Sequence, residues 1–139
     1  MFSRNTRQRS AIQETFRQND RPLRPEEVLI HSQQTVEGIG ITTVYRTIRT
    51  LVDEGWLVEV HLTGEAARFE LAGKEHHHHF RCNQCERVFE LAGCESDFRR
   101  LAPKGFQVTQ HDLTLFGLCA ECGTPARAVV SRMRQRPAQ

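Results

Sequence analysis

The sequence predicts an α+β protein built in two parts, residues 1–73 and residues 74–139. Three observations predict it. The first part has three segments of helical period, followed by two strand-like runs joined by Leu62-Thr63-Gly64-Glu65. The five cysteines all lie in the second part, four of them as Cys82-x-x-Cys85 and Cys119-x-x-Cys122. Four consecutive histidines, His76, His77, His78 and His79, run almost directly into the first pair. A chain of 139 residues has room for one ordinary domain or two small ones, and small domains usually need a staple.

In the first part, Ala11, Ile12, Thr15 and Phe16 recur at helical spacing and predict a helix over 6–18, ended by Asn19-Asp20-Arg21-Pro22. A second helix begins at Pro25, whose missing N–H costs nothing there, with Glu26 and Glu27 at the positive end of the dipole. After Gly38-Ile39-Gly40, Thr42 is the expected N-cap of a third helix over 43–54, with Val44, Ile48, Leu51 and Val52 as its apolar face and Gly55 as its stop. Residues 56–61 and 67–71 read as a hairpin beside it. Three helices and a hairpin make a winged helix. Thr43, Tyr45, Arg46 and Arg49 lie off the apolar stripe of the third helix, where such side chains reach phosphates and base edges of double-stranded DNA. From these residues alone, a three-helix packing unit with a merely solvated arginine surface fits as well.

Charge adds little by its sum and more by its distribution. The net charge is only +2, yet residues 1–24 carry six Arg against two acids and residues 125–139 carry four Arg against none, so the middle is acidic. Basic ends are commonly solvated tails. No apolar run approaches the ~20 residues of a membrane span, and the polar start differs from a secretory signal. The expected place is the cytoplasm, where paired cysteines more often hold metal than form disulfides.

The 33 residues between the two cysteine pairs let each pair occupy its own turn and supply two thiolates to one tetrahedral zinc. Such a closed site is structural, since it keeps no open position. A thioredoxin-like redox role is the competing reading, and neither pair joins a clear strand to a helix as that role requires. Cys94 is left over as a spare or buried thiol. If the histidine run is extended, alternation puts His77 and His79 on one face and His76 and His78 on the other, so one strand can feed two metal sites, although it could also be a solvated linker. Glu59, His61, Glu70 and Glu90 are candidate partners for the first face; Asp97 and His111 are candidates for the second. The rest of this part reads as strands over 78–82, 87–91 and 106–118 with a helix over 95–102. Its apolar supply, Phe106, Val108, Leu113, Leu115 and Phe116, is small enough to suggest completion across a dimer.

The run Gly40-Ile41-Thr42-Thr43-Val44-Tyr45-Arg46-Thr47, then Arg68-Phe69-Glu70-Leu71, the histidine run with Phe80, and His111 eight residues before the second cysteine pair closely resemble the ferric uptake regulator family over about residues 5–123. The resemblance implies a metal-dependent repressor: a homodimer with winged-helix DNA-binding domains and an α/β dimerisation domain, closing on palindromic operator DNA when metal is bound. It implies a structural zinc at Cys82, Cys85, Cys119 and Cys122. It maps a sensing site onto Glu70, His77 and His79, with Glu59, His61 or Glu90 as further ligands, and an additional metal site onto His76, His78, Asp97 and His111. Tyr45 and Arg46 match the recognition helix, and Arg9 matches a basic residue near the first helix. The iron and peroxide branches usually carry a histidine just before the second helix, where this chain has Arg21-Pro22-Leu23-Arg24. A zinc uptake regulator, with regulatory zinc, is therefore the better match, ahead of ferrous iron or manganese; the cysteine such regulators often place before the histidine run is replaced by Leu71-Ala72-Gly73. A zinc hydrolase is the rival enzyme class, but no H-E-x-x-H helix and no nucleophile with a base stand out, so neither catalytic residues nor a small-molecule substrate are expected. A zinc chaperone or storage protein is the other rival.

Overall fold

The computed structural model describes residues 3–94 and 97–123. The basic segment 125–139, expected as a tail, lies outside them. The first helix, α1, spans Arg4–Gln18 and starts two residues earlier than expected, because the Ser3 hydroxyl accepts the Thr6 backbone N–H at 3.1 Å and caps it. Helix α2 spans Pro25–Gln33, with Pro25 in its first turn. Helix α3 spans Ile41–Asp53 and its N-cap is Gly40, which corrects the expectation of Thr42: the helix begins before Thr42 and no side chain caps it. Its end follows the expected glycine stop. Gly55 takes φ +78°, and the N–H groups of Gly55 and Trp56 return to Val52 O and Leu51 O at 2.9 and 2.8 Å, the paired bonds of a Schellman motif.

Val44, Ile48 and Leu51, spaced four and three residues apart on α3, are all buried and meet Ile12, Phe16, Leu23, Val28 and Ile39 in one apolar core. Trp56 closes that core edge-on against Phe16, ring centroids 6.4 Å apart. Strands β1 (Leu57–Val60) and β2 (Arg68–Leu71) form the antiparallel wing, with Val58 opposite Glu70. Leu23 adds a bridge to the wing by exchanging backbone hydrogen bonds with Phe69 at 2.8 and 2.9 Å. The fold is α+β, with a winged helix as its first half.

The second sheet is three-stranded in the order β4-β3-β5, from β3 (His77–Cys82), β4 (Val88–Ala92) and β5 (Thr114–Gly117). β4 runs antiparallel to β3 and β5 parallel to it, with Cys82 beside Gly117. Two expectations are corrected here. The helix expected over 95–102 is, among the described residues, a single 3-10 turn at Phe98–Leu101; Pro103 and Gly105 follow it closely. The strand expected over 106–118 narrows to Thr114–Gly117: Leu113 O still accepts from the His79 N–H of β3 at 3.2 Å, but Phe106 to Asp112 join no strand among the described residues. The apolar residues counted as this half's core stay outside it: Phe106 is 70% exposed and Phe116 59%.

The halves meet through charge as well as apolar contact. Val60 and Leu62 of the wing pack on Val88 of β4. Arg68, fully buried on β2, reaches Glu65 at 3.1 Å and Glu27 at 3.7 Å, while Arg81 of β3 donates to both Glu65 oxygens at 3.0 Å. Burial alone would push the Glu65 carboxyl up, but the hydrogen bonds from Arg81 and Arg68 hold it below the usual 4.5. With its pKa depressed in the folded state, Glu65 stabilises the fold above pH 4.5, and that contribution is lost as pH falls through its lower folded value. Glu65→Gln should therefore cost about 2 kcal/mol at pH 7 by leaving Arg68 short of a charged partner, and its deficit should shrink below pH 4. Urea unfolding of both proteins across that range is the measurement; a constant difference would show that the network carries no linkage.

Candidate metal centres

The parallel pairing of β3 with β5 delivers both cysteine pairs to one end of the sheet. Cys82 ends β3 and is fully buried; Cys85 lies in the turn that follows, where Glu86 takes φ +65°. Cys119 and Cys122 lie in the turn after β5, closed by the Gly123 N–H bonding Cys119 O at 2.7 Å. Gly117 makes room where β5 passes β3: a Cβ there would sit 3.2 Å from the Phe80 ring, which would have to shift by a few tenths of an ångström. The four sulfurs lie within 4.8 Å of one another, with Cys85 and Cys119 at 3.8 Å. Tetrahedral bonds of about 2.3 Å to zinc require sulfur–sulfur edges of about 3.8 Å, so the donor set fits that ion. Backbone N–H groups of Cys119 and Cys85 approach Cys82 Sγ at 3.4 and 3.5 Å, and Arg87 donates to Cys85 Sγ at 3.2 Å.

The proton chemistry of this cluster points the same way. Burial works against the Cys82 thiolate, yet the backbone N–H groups of Cys119, Cys85 and Gln84 bring its pKa down to about 6. Cys122 is pushed up to about 12 by burial and by the three neighbouring sulfurs. Four thiolates this close repel, and a dication is what allows all of them to ionise.

His77, His78 and His79 open strand β3, with His76 just before it, and the run alternates as expected. On one face, His77 Nε2 lies 2.8 Å and His79 Nε2 3.4 Å from the two oxygens of Glu70, which is buried on β2. The Glu75 carbonyl accepts from His77 Nδ1 at 2.8 Å, which fixes the tautomer and turns Nε2 toward the carboxylate. Burial would raise the Glu70 carboxyl, but bonds from His79 and His77 hold it low. Burial likewise opposes a charged His77, yet the Glu75 carbonyl and Glu70 raise its pKa above 6.5. Hydrogen bonds thus hold these rings against Glu70, in positions where a cation could replace them.

A cleft of about 420 Å³ surrounds these groups and is also lined by Glu59 and His61. Those two bond each other at 2.8 Å and do not converge on Glu70 as closely as His77 and His79 do. Glu90 stands beside His77, 4.0 Å from Nδ1, but accepts from Lys74 at 3.1 Å. Lys74 also reaches Asp20 at 2.6 Å and lies 3.9 Å from Glu70. No sequence pattern marked this ammonium group, which the Gly73 turn carries into the cleft.

On the other face His76, His78 and His111 converge: His111 Nε2 lies 3.1 Å from His76 Nε2 and 3.3 Å from His78 Nε2. Burial, with His76 and His111 alongside, pushes the pKa of His78 down and favours its neutral, ligating form. The Asp97 carboxylate, which the resemblance places in this set, lies outside the converging group. It caps the 3-10 turn through the Arg99 N–H at 3.1 Å and pairs with the Arg99 guanidinium at 2.9 and 3.3 Å. Cys94 stands with the rings, its Sγ 3.2 Å from His111 Nε2. Gly93, at φ +75° directly after β4, was the signal in the sequence for a tight reversal there.

The DNA-facing candidates lie along α3. Tyr45, Arg46 and Arg49 are exposed and Thr43 is half-buried; Tyr45 donates to Glu26 at 3.0 Å. Arg9 borders the same surface in a cleft with Arg46, Thr47 and Thr50, and is paired to Glu54 at 2.6 Å.

A winged helix joined to a sheet that gathers thiolates and imidazoles defines a class, the metal-binding winged-helix regulators. A sequence model of the ferric uptake regulator family matches residues 2–116. The ferric uptake regulation protein of Campylobacter jejuni is 30% identical over 122 residues, covering 84% of this chain and 78% of that protein. That of Escherichia coli K12 is 38% identical over 88 residues, covering 61% and 60%. Among solved structures, a zinc-bound manganese uptake regulator superposes with a TM-score of 0.70 at 27% identity over 81% of this chain and 87% of that one. The Helicobacter pylori ferric uptake regulator, described as having three functional metal binding sites, gives 0.63 at 28% identity over 83% and 79%. The chain belongs to the ferric uptake regulator family, and is a metalloregulator of transcription rather than an enzyme.

Proposed function

We propose that this chain is a cytoplasmic, zinc-responsive repressor that binds palindromic operator DNA as a homodimer once an ion fills the Glu70, His77 and His79 site, and so controls metal uptake. One observation carries the reading: Glu70 belongs to the wing while His77 and His79 belong to the second sheet, so one ion ties the two halves together. The split at 73/74 falls between these donors. Cys82, Cys85, Cys119 and Cys122 hold a second, structural zinc that shapes the end of the sheet.

Coordination number favours zinc as the effector. Leu23 is buried against Phe69 and Arg21 is paired with Glu27 at 2.7 Å, so the segment before α2 offers the cleft no imidazole. Two imidazoles and a carboxylate, completed by His61, Glu59 or Glu90, suit a four-coordinate ion, whereas manganese prefers six oxygen-rich ligands. The dimer is supported by the exposed apolar residues Leu115 and Phe116 of the edge strand β5 and by Leu118 just after it, which lines a cleft of about 330 Å³ with Phe80, Phe89 and Leu91. Thr43, Tyr45, Arg46 and Arg49, with Arg9 beside them, face the DNA.

The experiment is a gel shift on DNA upstream of the chain's own gene, with zinc added or chelated. Zinc should produce the shift; its absence at every zinc concentration would leave a storage or chaperone role. The Arg46→Ala, Arg49→Ala double variant should lose about 1–3 kcal/mol per contact while keeping its zinc content and dimer. Equal operator affinity in that variant and the wild type would refute α3 as the reading helix.

A further inference from the structure

We propose that Cys94 is the fourth ligand of a mixed nitrogen–sulfur metal site with His76, His78 and His111, in the place the resemblance gives to the carboxylate of Asp97. The inference rests on the reading of the histidine run as metal-binding and adds a donor of different chemistry to it.

The geometry around His111 excludes an ordinary hydrogen-bonded cluster. Its Nε2 lies 3.1 Å from His76 Nε2, 3.3 Å from His78 Nε2 and 3.2 Å from Cys94 Sγ. A ring nitrogen has one in-plane position, occupied either by a hydrogen or by a lone pair, so at most one of three such contacts can be a good hydrogen bond. A single cation facing all four atoms uses every lone pair. With bonds of about 2.0 Å to nitrogen and about 2.3 Å to sulfur, a tetrahedral ion sets nitrogen–nitrogen edges of about 3.3 Å and nitrogen–sulfur edges of about 3.5 Å. The separations from His111 Nε2 fall at or slightly inside those edges, and all four ligand atoms lie within 4.8 Å of one another.

Asp97 is the alternative donor, and its contacts commit it elsewhere. Both carboxylate oxygens are bound by Arg99, and the same group caps the 3-10 turn. Recruiting it would break a charge-assisted pair and uncap the turn, whereas the Cys94 sulfur already lies 3.2 Å from His111 Nε2. Phe98 lies on the imidazole of His111, ring centroids 4.7 Å apart, and holds the ring toward the cluster. Three imidazoles and a thiolate make a soft set that accepts zinc or cobalt and discriminates against manganese and magnesium. Ligation requires the thiol to release its proton, which the ion displaces to solvent.

The test uses the full chain carrying its tightly held zinc, with weaker metal stripped, titrated with cobalt(II) while released zinc is measured to count exchange at the four-cysteine site. Wild type should develop a near-ultraviolet thiolate-to-cobalt charge-transfer band beyond that attributable to exchanged zinc. Cys94→Ser should lose this band and weaken one cobalt site at least about 10-fold, the loss attending removal of even an outer partner; Asp97→Ala should keep both. A wild type without the extra band, or a band that survives Cys94→Ser or is lost in Asp97→Ala, overturns the proposal. A second measurement needs no variant of the cysteine: zinc should slow alkylation of Cys94 in wild type but not in His76→Ala, and equal rates with and without zinc in wild type overturn it too. Zinc-dependent operator binding is scored on the same wild-type protein; if it persists while the band is absent, only the sulfur ligand is wrong, and if it is absent while the band is present, only the repressor reading is wrong.

Discussion

Cys82→Ser should yield a protein whose second half does not fold, rather than one that folds and fails to respond to metal. Cys82 is fully buried, ends the central strand of a three-stranded sheet and receives two backbone N–H groups on its sulfur. The only apolar cluster that reaches this sheet among the described residues is Val60, Leu62 and Val88, too small to hold it. A structural zinc contributes on the order of 10 kcal/mol to such a unit, more than the whole stability of many small domains. The expected results are loss of the zinc that survives mild chelation, loss of the dimer and early proteolysis within the second half. The α1–α3 core stays folded because its apolar residues lie far from the sulfurs in sequence and form a separate cluster. A folded, dimeric Cys82→Ser protein would show that the sheet does not depend on the ion.

The parts of this arrangement that sequence made visible are those set by period and spacing. The α3 face was legible because Val44, Ile48 and Leu51 repeat at helical intervals, and the two faces of β3 because alternation in an extended run is geometric. The cysteine pairs could be assigned to one cluster from spacing, without knowing that a parallel β3–β5 pairing would join them. What could not be read depends on which partner a side chain finds. Asp97 and Cys94 lie three residues apart in the sequence, and spacing alone gave no sign that Arg99 would take the Asp97 carboxylate while the Cys94 sulfur would stand beside His111. The Arg68–Glu65–Arg81 network was hidden because three charged residues with no common period are brought together by the wing. The span 106–118 misled for a related reason: its apolar residues suit a strand, but a strand also needs a neighbour.

Single alanine variants along β3 should divide by face. His77→Ala and His79→Ala should abolish zinc-dependent operator binding while leaving the cysteine-bound zinc and the dimer intact, and Glu70→Ala should behave as they do. Without an ion, Glu70 is held by bonds from two imidazoles, and Lys74 lies 3.9 Å away between Asp20 and Glu90. Removing one imidazole leaves the carboxylate too few partners to retain an ion against this competing ammonium group. The ion favours the DNA-competent arrangement only through its higher affinity for that arrangement, typically a coupling of about 1–3 kcal/mol, or roughly 5- to 150-fold in operator affinity. That entire gain should vanish in the His77, His79 and Glu70 variants. His76→Ala and His78→Ala should lose a different ion and only part of the gain, because His111 and Cys94 belong, like them, to the second half and that cluster does not bridge to the wing. The measurement is a zinc titration of each variant with operator binding as the readout and bound zinc counted alongside. If variants of the two faces respond alike, the division of the strand is wrong, and if ferrous iron or manganese activates the wild type where zinc does not, zinc is not the effector.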